Sequence, residues 1–255
     1  MKLNWLKNYS ILSFESLDST NSEGLRLANS SARGDFLILG QEQTGGRGQR
    51  GREWVSLHGN LHASILLESR ADPKSHPQLS FVIANAMYAS LAELAAKHRL
   101  SMNIELKWPN DILINGKKVA GILLESISLA NKISVVIGFG VNIRQAPSDL
   151  DRPATSLLNE GIILEKPDEF LNILMNRFDK LYARWRVEKS FTDTRKYWMR
   201  HAYNLNKQVT IDDGTRSVSG IFREIDLDGA MRLELPNGQF CTIYAGEIIM
   251  DEGCS

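Results

Sequence analysis

The sequence predicts an α+β fold: a mixed β-sheet backed by helices, followed by a small C-terminal β-barrel. Three observations lead there. Before about Asn204, short apolar runs of strand type are interleaved with stretches of helical periodicity, the pattern of a layered α+β unit. Asn115-Gly116 lies between two strand-like runs and is a strong hairpin signal. After Asn204 only short strands remain, about five of them, cut by Asp212-Asp213-Gly214, Asp226-Leu227-Asp228-Gly229 and Pro236-Asn237-Gly238. Two units follow, residues 1–204 and 205–255.

The elements can be read in order. Ile11–Phe14 reads as a strand, and Thr20 with Glu23 forms a capping-box pattern at a helix start. Phe36–Leu39 is an apolar strand that runs into a glycine-arginine loop, and Leu61–Leu67 resumes the strand pattern. Gln78–His98 is the clearest helix, with Leu79, Val82, Ile83, Ala86, Met87, Ser90, Leu91 and Leu94 at helical spacing. Strands flank Asn115-Gly116, and Ile133–Ile143 is another β-rich run. Helices are expected over Asp168–Trp185 and Thr192–Arg200.

Composition excludes several classes. Lys+Arg and Asp+Glu total 30 each, so no net positive field drives non-specific nucleic-acid binding, and any anion site must come from local clustering. The two cysteines, Cys241 and Cys254, match neither a zinc spacing nor a disulfide framework, which favours a reduced, cytoplasmic setting. Met1-Lys2-Leu3-Asn4-Trp5 has no apolar signal core, and no run of 18 apolar residues appears, so no membrane association is expected. His58, His62, His76, His98 and His201 show no metal spacing and read as surface or core residues.

Two segments carry chemistry. From Gly45 to Arg52 there are four glycines and three arginines. Glycine lets backbone N–H groups approach a ligand, and arginine supplies forked donors for phosphate or carboxylate. Such a loop suits an anion that is gripped and then covered, with residues 45–52 mobile until ligand binds. A solvated surface turn and an RNA-binding arginine-glycine tract are the alternatives. No Gly-Lys-Ser/Thr follows, so it is not a P-loop.

The second segment is the hairpin Lys107-Trp108-Pro109-Asn110-Asp111 to Glu125. A two-residue turn would set Leu113 opposite Lys118 and Asp111 opposite Ala120. Asp111, Leu113, Lys118 and Ala120 would then share one face, with Lys117 on the other. Asp111 and Lys118 would be diagonal neighbours with Cα atoms roughly 7–8 Å apart, room for a ligand group between them. The plain alternative is a surface salt bridge. Ala120 and Gly121 would leave space above the strand. Gly138 and Gly140, at alternate strand positions, mark a bulge or the close approach of another group, such as a flat adenine.

Ser19-Thr20-Asn21, Gly46-Arg47-Gly48-Gln49-Arg50-Gly51 with Trp54, Lys107-Trp108-Pro109-Asn110-Asp111, Lys118-Val119-Ala120-Gly121 and Gly138-Phe139-Gly140-Val141-Asn142 form a set that resembles the biotin protein ligase family. The likeness runs from about residue 11 to the C-terminal β unit. It implies a catalytic sheet related to class II aminoacyl-tRNA synthetases. The implied activity is that of a biotin–[acetyl-CoA-carboxylase] ligase: ATP activates biotin to biotinyl-5'-AMP with release of pyrophosphate, and biotin then passes to a lysine of a biotin carboxyl carrier protein.

By the same resemblance Ser19, Thr20, Asn21, Gln43, Gly46, Arg47, Gly48, Gln49, Lys118, Gly121, Gly138 and Gly140 would serve biotin. Arg47, Arg50, Arg52, Trp54, Lys107, Asn110, Lys118 and Asn142 would serve ATP, with Trp54 and Asn142 at adenine. Lys118, Arg47 and Asp111 would be catalytic: Lys118 bridging the biotin carboxylate and α-phosphate, Asp111 near the acceptor lysine. Mg²⁺ is implied with ATP, no protein metal ligands are expected, and a homodimer is allowed. Gln49 stands where many members carry arginine, which removes one cation from the adenylate site. The pattern begins within the first 20 residues and leaves no room for the N-terminal DNA-binding domain of many members, so no repressor function or nucleic-acid partner is expected. A lipoate–protein ligase is the nearest alternative. An RNA-binding module and a non-catalytic biotin-binding regulator are the others, and the last would be expected to lack Lys118.

Overall fold

The computed structural model describes residues 4–30, 32–69, 71–129, 132–148, 153–188 and 191–249; Cys254 lies outside them. Seven strands form the larger sheet: β1 (Ser10–Leu17), β2 (Phe36–Gln43), β3 (Leu61–Ser69), β4 (Ile104–Lys107), β5 (Asp111–Ile114), β6 (Lys117–Leu129) and β7 (Lys132–Val141). Their order is β1-β2-β3-β7-β6-β5-β4. β1 and β2 are parallel and the remaining neighbours antiparallel, so the sheet is mixed as expected.

Alternation along the strands divides the core. Leu37, Ile65, Val135 and Ile137 point into the large apolar cluster, which also takes in α2 (Gln78–Lys97), α3 (Pro167–Glu188) and α4 (Thr192–Arg200). Ile38, Leu66 and Val136 point the other way, onto α1 (Thr20–Asn29) through Ala28. A strand buried on both faces is mostly apolar, which is why β3 and β7 read as apolar runs, interrupted on β3 by buried His62 and Ser64. Pro73–Lys97, α2 with the turn before it, is long and apolar enough to cross a membrane. Because 67% of its most apolar window is buried inside the protein, it is accounted for as a core helix.

The second sheet holds β8 (Gln208–Asp212), β9 (Ser217–Ile225), β10 (Met231–Glu234), β11 (Phe240–Ile243) and β12 (Glu247–Ile249), in the order β11-β10-β9-β8-β12. It is antiparallel throughout, and its Val209, Ile211, Phe222 and Leu233 share the large cluster with Phe81 and Trp198. Trp108 Nε1 donates to Gly229 O at 3.1 Å, tying the entry to β5 to this sheet.

Two local expectations are corrected. Ser19, not Thr20, caps α1: its backbone is extended and its hydroxyl accepts from Ser22 N at 3.4 Å, while Glu23 pairs with Arg26 at 2.7 Å. The β5–β6 hairpin turns at Asn115-Gly116 with φ of 52° and 76°, as the signal required, and Leu113 does face Lys118. A bulge then inserts one residue of β6, so Ile112 faces Ala120 and Asp111 faces Gly121. Ala120 therefore packs into the core, and only Gly121 leaves open space. Strand β4 was not anticipated.

Candidate active site

Three neighbouring strands carry the site on the α1 side of the sheet. There β7 presents Val136, Gly138 and Gly140, and each glycine admits a side chain from elsewhere. A Cβ on Gly138 would lie 2.0 Å from Asn21 Oδ1, and one on Gly140 would lie 2.3 Å from the Trp54 indole. The flat group that approaches Gly140 is thus the protein's own indole. Across the ladder Gly138 faces Ser64 and Gly140 faces His62 on β3, so each visitor meets a polar partner.

The start of α1 is held by a closed set of hydrogen bonds. Ser64 Oγ lies 2.6 Å from Asn21 Oδ1 and 2.7 Å from Thr20 Oγ1. Thr20 N donates to Gln43 Oε1 at 2.8 Å, and Gln43 Nε2 donates to Ser56 Oγ at 3.0 Å. Asn21 Nδ2 donates to Glu125 Oε2 at 2.8 Å and to Leu123 O at 3.3 Å. Ser19, Thr20, Asn21 and Ser64 are buried, so these polar groups are preorganised and cannot relax into water.

Trp54 Nε1 donates to His62 Nδ1 at 3.3 Å. Burial holds the His62 imidazole below its ordinary value of 6.5, which keeps Nδ1 an acceptor and leaves the proton on Nε2, facing Leu57 O. Lys118 Nζ stands 5.7 Å from the Trp54 ring centroid and 2.6 Å from Asp111 Oδ1. The two charged groups therefore touch, and the gap expected between them is closed by the length of the lysine side chain. Asn142 Nδ2 donates to Thr155 O at 3.1 Å, and its Oδ1 is buried with no hydrogen-bond partner. A buried carbonyl oxygen in this position awaits a donor.

The glycine-arginine segment is itself a small hairpin. Arg47 bridges Glu53, Gly48 N donates to Arg52 O at 2.7 Å, and Trp54 N donates to Gly46 O at 3.0 Å. Its arginines point to three anchors: Arg47 Nη2 to Glu125 Oε2 at 2.9 Å, Arg50 Nη1 to Asp212 O at 3.1 Å, and Arg52 Nη2 to Glu247 Oε2 at 2.6 Å.

Between this flap, α1, β6 and β7 is a cavity of about 280 Å³. Sixteen of the residues singled out in the sequence line it: Ser19, Thr20, Asn21, Gln43, Arg47, Gly48, Gln49, Arg52, Trp54, Asn110, Asp111, Lys118, Gly121, Gly138, Gly140 and Asn142. Gly46, Arg50 and Lys107 do not. Gly46 packs under Trp54 O, Arg50 turns to the second sheet, and Lys107 is buried 3.8 Å from Glu247 Oε1. The lining carries Arg47, Arg52 and Lys118 against Glu53 and Asp111, a local positive balance in a chain of zero net charge.

Ser64, Glu125 and Glu247 were not among the expected site residues, and His62, expected only as a surface or core histidine, meets Trp54 at the site. Alternation could have found Glu125, which follows Gly121 and Leu123 on one face of β6. Glu247 is joined to the flap only by tertiary packing.

The sequence profile of the biotin/lipoate A/B protein ligase family matches residues 13–142, and that of the biotin protein ligase C-terminal domain matches 205–251. The biotin–[acetyl-CoA-carboxylase] ligase of Paracoccus denitrificans is 37% identical over 231 residues, which is 87% of this chain and 93% of that protein. The enzyme of that name from Mycobacterium tuberculosis is 31% identical, covering 91% of this chain and 85% of its own length. Among solved structures, the biotin protein ligase of Aquifex aeolicus in complex with biotin and ATP aligns with a TM-score of 0.78 at 25% identity, over 94% of this chain and 97% of that one. With these matches spanning both sheets and the cavity between flap and strands, the chain belongs to the biotin/lipoate A/B protein ligase family.

Proposed function

We infer that this protein is an ATP-dependent biotin–protein ligase. The observation that carries the reading is the union, in one cavity, of a polar set at the start of α1 with Arg47, Lys118, Trp54 and the unpaired Asn142 oxygen. Its substrates are biotin, ATP and a lysine of a biotin carboxyl carrier protein. Residues 1–204 serve as the catalytic unit and 205–255 as a C-terminal unit, and the protein works in the cytoplasm.

Activation brings the biotin carboxylate to the α-phosphorus of ATP. A carboxylate oxygen forms the new bond and pyrophosphate departs. Two anions must approach each other, so cations fixed at the site offset the repulsion most where charge accumulates. Arg47 and Lys118 fill that role. Each already contacts a carboxylate, Glu125 or Asp111, and exchanges it for a substrate oxygen. Trp54 and the Asn142 oxygen suit an adenine, the first by its flat face and the second as acceptor from an exocyclic amine. The Thr20–Asn21–Gln43–Ser64 set suits the ureido ring of biotin.

In the second step the carrier lysine attacks the acyl carbon and AMP leaves. That amine must be neutral, against an ordinary pKa of about 10.4. Once Lys118 swings toward phosphate, Asp111 loses its cation and is free to orient the incoming ammonium and accept its proton. Mg²⁺ would arrive with ATP and screen its polyphosphate, beside the roles given to Arg47 and Lys118.

Pyrophosphate release from ATP is the test, with biotin, with lipoate and with neither. Release that requires biotin is expected; release with lipoate alone would transfer the assignment to the lipoate branch of the family, and none with either would remove it.

A further inference from the structure

Asn21 has no spare donor. Both hydrogens of its amide are committed, one to Glu125 Oε2 at 2.8 Å and one to Leu123 O at 3.3 Å. Its oxygen accepts from Ser64 at 2.6 Å and keeps a second lone pair. An ionised carboxylate only accepts, so the shorter of the two bonds, to Glu125, forces the NH₂ end of the amide toward β6 and the oxygen toward Ser64. Any ligand that uses Asn21 must therefore be a donor, as a ureido N–H is.

The same oxygen, Oε2 of Glu125, also receives Arg47 Nη2 from the flap at 2.9 Å. The flap cation and the α1 amide thus share one acceptor. Glu125 stands at the edge of the site, a quarter exposed, on the β6 face that carries Gly121 and Leu123. While Arg47 is docked there, an incoming anion has to displace a carboxylate to reach it.

We propose that Glu125 is a positioning residue of the ligase reaction: it orients the Asn21 amide as an acceptor for biotin and holds Arg47 until a substrate anion replaces it. The proposal rests on the biotin ligase reading. It separates two effects of one side chain. Charge matters to Arg47 and hence to ATP; a hydrogen-bond acceptor of the right reach matters to Asn21 and hence to biotin. A fixed hydrogen bond to a charged group is worth roughly tenfold in binding.

The test measures binding of biotin and of ATP separately by calorimetry, and KM for each in pyrophosphate release, for the full chain and for Glu125→Gln and Glu125→Ala. Gln keeps an acceptor oxygen and the reach but loses the charge. Biotin binding in the Gln variant should stay within about twofold, while ATP binding should tighten about threefold as Arg47 is released. The Ala variant should lose about tenfold in biotin affinity, with KM rising and kcat changing less. Should Ala not fold by circular dichroism, Glu125→Ser removes the acceptor reach in its place. Equal losses of biotin affinity in Gln and Ala, or no change for either ligand, would overturn the role of Glu125 alone. A parent protein that binds neither biotin nor ATP overturns the ligase reading and this role together.

Discussion

At the scale of the residue, Gly138 and Gly140 line one cavity but each meets a different side chain, which suggests a division between biotin and ATP. A methyl group on Gly138 collides with Asn21 and one on Gly140 with the Trp54 indole. Overpacking of this kind costs about 1–3 kcal/mol when neighbours must shift. Gly138→Ala should therefore raise KM for biotin about tenfold and Gly140→Ala KM for ATP, in steady-state pyrophosphate release; the reverse assignment would refute the division. Lys118→Ala should abolish biotin-dependent pyrophosphate exchange, while exposed Lys117, facing Ile114 across the hairpin, should tolerate alanine with less than about a threefold loss. His62 adds a pH signature. Its folded pKa is depressed by burial, so the unfolded chain binds the extra proton first. Its contribution to stability is whole above pH 6.5 and declines as pH falls toward the folded value. Acidification from pH 7.5 to 5.5 should lower the melting temperature, and His62→Gln should show a smaller drop. Equal drops would mean that the imidazole carries no such linkage.

The flap shows what an element can do that a composition cannot reveal. Its four glycines suggest mobility, yet the segment carries its own hairpin hydrogen bonds and three arginine anchors. Two of those anchors belong to the second sheet. Arg52 with Glu247 is partly buried, where a pair is less screened than on an open surface. Glu247→Gln should loosen the flap: limited proteolysis within residues 45–52 should quicken several-fold without ligand, and biotin plus ATP should restore much of the protection. Unchanged cleavage in the variant would show that the anchor does not hold the loop. The β6 bulge is a second such case. It carries Asp111 from Ala120 to Gly121, and with it opens the cavity beside Lys118.

On the scale of the whole molecule the two sheets are one packing unit. Val209, Ile211, Phe222 and Leu233 of the second sheet lie in the same apolar cluster as Phe81, Trp108 and Trp198. Gly229 sits against Phe81 and accepts the Trp108 indole hydrogen. Truncation after residue 204 would expose these surfaces, each large side chain losing about 1.5–3 kcal/mol of burial. Residues 1–204 alone should be poorly soluble or melt well below the full chain in calorimetry. A fragment as stable as the full chain would make the second sheet an independent appendage.

The elements of this protein were legible because each is specified locally. Helical spacing marked α2, Asn-Gly marked the β5–β6 turn, and Asp-Gly and Asn-Gly turns marked the short C-terminal strands. Residue chemistry along the chain also pointed to most of the cavity wall, since glycine, arginine and short polar groups cluster in a few segments. The sequence did not reveal long-range partnership. Nothing near Glu125 in the chain names Asn21 or Arg47, and Glu247 lies 195 residues from Arg52. The one-residue shift at Val119 is likewise invisible to alternation, which presumes a regular ladder. Local propensity and periodicity determine which elements form. Which side chains then meet is decided by long-range packing, because contacts between distant segments depend on how whole elements stack.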